Sequence, residues 1–92
     1  MKELSEEAKQ LIIDVEQKII SESASLYEAL RLIENKRSFH ANTCTRKSVL
    51  IIGLMKQGCE VPQELQDEYD VNFGAFYFMS ERINLLIDKL SE

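Results

Sequence analysis

The sequence predicts an all-α domain, an antiparallel four-helix bundle whose last helix is the longest. Three observations carry that expectation. Glycine and proline are scarce, three and one in 92 residues, too few for the many tight turns of a β-sandwich. Apolar residues recur at spacings of three and four through most of the chain, the period of a helix with one buried face. The periodic stretches open on residue types that cap helices.

Each element follows from its own residues. Ser5 is a suitable N-cap, with Glu6 and Glu7 in the first turn where the helix dipole favours negative charge. Leu4, Ala8, Leu11, Ile12, Val15 and Ile19 form one stripe, which predicts a helix over 6–21. The tract Ser21–Ser25 weakens it, because serine competes for backbone hydrogen bonds. Ser25 with Glu28 is a capping box that starts a second helix at Leu26, with Leu26, Ala29, Leu30 and Ile33 as its apolar face and an end near Arg37. Residues 38–42 lack periodicity and read as a loop. Asn42 or Thr43 then caps a third helix through Gln57, burying Val49, Leu50, Ile51, Leu54 and Met55, with Gly58 as its stop. Pro62 begins the fourth helix, over 62–90. Its seam is Leu65, Tyr69, Phe73, Phe76, Ser80, Ile83, Ile87 and Leu90, unbroken through Gly74. The short connections force neighbouring helices to run antiparallel.

Ninety-two residues make one domain, 1–92, able to bury about 60–65% of its unfolded surface. The longest apolar run, Val49–Met55, is far below the ~20 residues that span a membrane. The start, Met1–Glu7, has no apolar run and reads as no secretory leader. A cytoplasmic protein without a membrane segment is the expectation. The net charge of −5 disfavours general nucleic-acid binding, which needs lysine and arginine to neutralise phosphates. The charge is uneven. Residues 31–47 carry five basic side chains against Glu34 alone, and residues 60–70 carry five acidic ones with no basic partner.

Cys44 and Cys59 stand at the two ends of the expected third helix, ~22 Å apart at the helical rise, too far to pair. Both are expected as reduced thiols. The single histidine and two separated thiols form no zinc pattern, and no phosphate loop or catalytic signature occurs. No metal, no cofactor and no enzymatic activity are expected.

Two features stand above that background. Arg37, His40, Arg46 and Lys47 surround the expected start of the third helix, where exposed N–H groups and the dipole form an anion-binding corner. Five of seven aromatic residues fall between Tyr69 and Phe78. Phe76, Tyr77 and Phe78 fan across a helix circumference that one bundle cannot cover, which leaves Tyr77, Phe78 and Met79 for a protein partner or a homodimer contact, with Phe76 in the core. A regulatory or adaptor protein that binds a macromolecule and inhibits, sequesters or protects it is the leading expectation. The segment Gly58–Tyr69, on Pro62, Leu65 and Tyr69, resembles the loop into the fourth helix of bacteriocin immunity proteins, which are four-helix bundles of similar length. The resemblance covers twelve residues and implies, as an alternative, protection against a peptide toxin. A bundle that binds a phosphorylated small molecule through the basic segment is a third possibility.

Overall fold

A computed structural model describes residues 3–91; Met1 and Lys2, part of the start that reads as leader-free, lie outside them. Ser5 accepts a hydrogen bond from the Ala8 amide at 3.1 Å and opens helix α1, Glu6–Glu22. Ser23 to Ser25 break the chain, and the Ser25 hydroxyl accepts from the Glu28 amide at 3.1 Å to start the next helix. Both starts are where the capping residues put them.

The next helix does not stop at Arg37. Helix α2 runs Leu26–Lys56 without a break, and α3 runs Gln63–Leu90, so the described residues hold three helices and no strand. The expected four-helix bundle is therefore corrected to three helices, and α2, not the last helix, is the longest. No glycine or proline lies between Leu26 and Ile52 to interrupt the backbone. The polar residues at the expected start of the third helix are satisfied inside the continuous helix: the Thr43 and Thr45 hydroxyls donate to the carbonyls of Phe39 and Ala41 at 2.9 and 3.1 Å. The face of α2 turned to α3 continues at alternating four and three through Ile33, Arg37, His40, Cys44, Lys47 and Ile51, none of them exposed. Four of those six are not ordinary hydrophobes, which hid the period.

At the far end of α2, Gly58 takes a left-handed φ of 71°, open only to residues without a Cβ penalty. Its amide reaches the Met55 carbonyl at 3.1 Å and that of Cys59 the Leu54 carbonyl at 2.9 Å, closing the helix as the sequence predicts. Pro62 then stands as the cap of α3.

Three cross-helix contacts set the topology. His40 meets Asn72, Cys44 meets the Tyr69 carbonyl, and Lys47 pairs with Glu68, so numbers rise on α2 as they fall on α3. The two helices form a long antiparallel hairpin. Helix α1 lies along one side of one half only, parallel to α3, with Leu4 against Gly74 and Glu16 on Arg82. A Cβ on Gly74 would approach the Leu4 side chain to 3.3 Å, so glycine lets the chain ahead of α1 seat closely. All six buried apolar residues, Ala29, Ile33, Ala75, Met79, Ile83 and Leu86, sit in this covered half. From Ala41 to Gly74 no residue is buried. The molecule measures 52 × 22 × 21 Å with a radius of gyration of 15.7 Å, against about 12 Å for a compact domain of this length.

Candidate protein-binding face

The largest cluster of aromatic side chains lies on α3 where the covered half gives way to the bare half. Tyr69, Phe73 and Tyr77 follow one another at four-residue steps on α3. The first two rings stack at 5.8 Å, and the second and third meet at 4.8 Å. Phe76 stands edge-on to Tyr77 at 6.1 Å, with the Arg37 guanidinium 5.9 Å from the Phe76 ring centre. Between α2 and α3, Tyr69, Phe73 and Phe76 border a groove of about 330 Å³, closed on the α2 side by Ala41, Cys44, Thr45 and Ser48. At ~100° per residue, Tyr69 and these α2 positions fall on the side of the hairpin away from α1, whereas Phe73 and Tyr77 also border a groove of about 440 Å³ with Leu4 and with Lys9 of α1. Ile52 and Met55 extend the same side of α2 towards the tip, 49% and 64% exposed. A second, larger groove of about 690 Å³ lies along the seam of α1 and α2, where Leu11 and Phe39 remain exposed.

The expected trio Tyr77, Phe78 and Met79 separates, because consecutive helix positions point about 100° apart. Tyr77 is exposed and belongs to the aromatic ladder. Phe78 is half-buried, with the Lys9 ammonium of α1 6.0 Å from its ring centre. Met79 is in the core at 6% exposure and offers no surface to a partner. Phe76, expected in the core, is half-buried on the rim of the groove. Tyr69 and Phe73 were expected in a seam covered by other helices; with no fourth helix they line the open groove instead. Their four-residue spacing to Tyr77 was visible in the sequence, but not that the face was bare.

The expected anion-binding corner does not assemble, since no helix starts at residue 43. Arg37 and Arg46 are nine residues apart on one helix and point to opposite sides. Arg37 lies 3.9 Å from Glu34, Lys47 pairs with Glu68, and His40 Nδ1 is 2.8 Å from Asn72 Oδ1. Among the described residues no group of three or more His, Cys, Asp or Glu side chains gathers as a metal would require.

Both thiols are unpaired, as the spacing argument expected. Cys44 sits half-buried in the groove with Sγ 3.7 Å from the Tyr69 carbonyl, and burial pushes its thiol above the ordinary range. Cys59 is exposed at the hairpin tip. The contact between Glu16 and Arg82 also escaped sequence reasoning. Glu16, 4% exposed, accepts two hydrogen bonds from Arg82, from Nε at 2.9 Å and Nη2 at 2.7 Å. Its signal was a carboxylate inside the α1 stripe, four after Ile12 and three before Ile19. The pair ties α1 to α3 within the covered half, away from the groove.

No family model, no curated protein and no solved structure matches the chain. The geometry by itself brings together an uncharged aromatic groove on a hairpin half without a core. That arrangement is suited to docking against another apolar surface.

Proposed function

We propose that this chain is a small non-enzymatic regulatory or adaptor protein that docks on a macromolecular partner and thereby inhibits, sequesters or protects it. The observation that supports this reading is the hairpin from Ala41 to Gly74, where no residue is buried while Tyr69 and Phe73 stack, with Tyr77 continuing the aromatic ladder just beyond it. A chain of this size has little stability in reserve, and half a hairpin without a core adds cost unless something covers it. Large aromatic rings in a groove are the kind of anchors on which protein contacts concentrate their binding energy. Protection against a peptide toxin is the same mode of action with a different partner, favoured by the twelve-residue likeness over 58–69; in this fold that segment leads into the third helix.

Affinity capture from native lysate tests the reading, with wild type, Ile52→Glu and Leu50→Glu compared side by side. A docked partner should be lost with Ile52→Glu and kept with Leu50→Glu, which lies on the α1 side. Its binding should resist added salt, because the groove is uncharged. A partner held equally by all three, or released by salt alone, would place binding elsewhere on the molecule.

A further inference from the structure

We infer that the groove side of the hairpin is covered by a second copy of this chain, packed antiparallel so that two hairpins make a four-helix core. The inference rests on the protein-binding reading above and commits that surface to one occupant. Three observations carry it. The first is area. The chain exposes 6549 Å², whereas a compact monomer of 10.6 kDa exposes about 5,500 Å². The excess of roughly 1,000 Å² is close to the ~800 Å² that each partner contributes to a stable interface.

The second observation is charge. The groove on the bare half is bordered by Ala41, Cys44 and Thr45 on α2 and by Tyr69, Phe73 and Phe76 on α3, and none of its lining residues is charged at neutral pH. At the same level the α1 side carries Lys47 and Glu68, paired with each other. A two-fold contact sets a face against its own image, so a net charge on it would meet the same charge across the axis. In a chain with net charge −5, a neutral strip is the surface that avoids this repulsion.

The third observation sets the direction. The tip segment 60–70 carries five acidic side chains and no basic one, and Arg37 lies at the opposite end of the groove, over the Phe76 ring. Parallel hairpins would hold two acidic tips together. The antiparallel arrangement instead places each tip beside Arg37 of the other copy and brings the groove around Cys44 onto the two-fold axis. Near-antiparallel helices then surround a core of aromatic rings, the usual geometry of four-helix packing.

Sedimentation equilibrium of the full chain across the micromolar range tests this. Wild type should sediment as a dimer. Ile52→Glu and Tyr77→Glu, at positions 49% and 56% exposed in the single chain, should keep their helical circular dichroism and weaken dimerisation by ~30-fold or more. Leu50→Glu, equally exposed on the α1 side, should leave the dimer intact. A short bis-maleimide should not join Cys59 to Cys59, because antiparallel tips lie at opposite ends. A wild-type monomer throughout the range would overturn the second copy while leaving a different protein partner to the capture experiment. A dimer disrupted equally by Leu50→Glu, or untouched by Ile52→Glu and Tyr77→Glu, would overturn the face. Efficient Cys59 cross-linking would overturn the direction.

Discussion

At the scale of single residues, the Glu16–Arg82 pair has an asymmetry that mutation can expose. Glu16 is nearly inaccessible, whereas the Arg82 side chain is 26% exposed. Arg82→Ala leaves a buried carboxylate without its partner and should destabilise the fold by about 3–5 kcal/mol. Glu16→Ala leaves a guanidinium that water already reaches and should cost distinctly less; chemical denaturation of both variants measures the difference, and equal losses would refute the argument. The hydrogen bond with Glu16 holds Arg82 above its ordinary value. That contribution is complete below the unfolded pKa and is lost only as pH rises through the still higher folded one, in strong base. The two thiols differ in the same measurable way. Burial raises Cys44 and lowers its thiolate fraction, so at mildly alkaline pH a thiol-alkylating reagent should modify Cys59 well before Cys44, as timed peptide mapping can follow. Equal rates would mean that the groove is open to water at Cys44.

At the scale of elements, the merged helix α2 is the decisive departure from the sequence expectation. Asn42 separates the two accounts. As an N-cap it would lose about 1 kcal/mol on substitution by alanine. As an exposed residue inside α2, Asn42→Ala should gain about 0.5 kcal/mol from helix propensity. A thermal melt decides between them by sign alone. The starts at Ser5 and Ser25 and the stop at Gly58 were legible because each depends on residues next to one another in the chain. The interior of α2 was not legible, because Arg37, His40, Cys44 and Lys47 take their places on its inner face from partners on α3. A period made of such residues does not look apolar. The exposure of Tyr77 was legible in the sequence, while Tyr69 and Phe73 were assigned to a seam that the missing helix would have covered.

At the scale of the whole molecule, the uneven core is the property with the widest consequences. Every buried apolar residue lies where α1 covers the hairpin, so the bare half should open first. Hydrogen exchange should find the amides of residues 44–56 and 63–72 less protected in Ile52→Glu than in wild type, while those near Ile33 and Ile83 stay unchanged. Association also links stability to concentration. The melting temperature of wild type should rise with protein concentration and that of Ile52→Glu should not; a wild-type value independent of concentration would count against self-association.

The sequence by itself determined the all-helical class, two helix starts, the glycine stop and the unpaired thiols, because these follow from backbone chemistry and from distances along a helix. It also marked the aromatic segment as too rich for one core. Tertiary structure decided the number of helices, the pairing of Glu16 with Arg82, the dispersal of the basic residues and the side on which the aromatic rings lie open. Those outcomes depend on which distant side chains meet across the hairpin and on how far α1 reaches along it, and no local pattern encodes either.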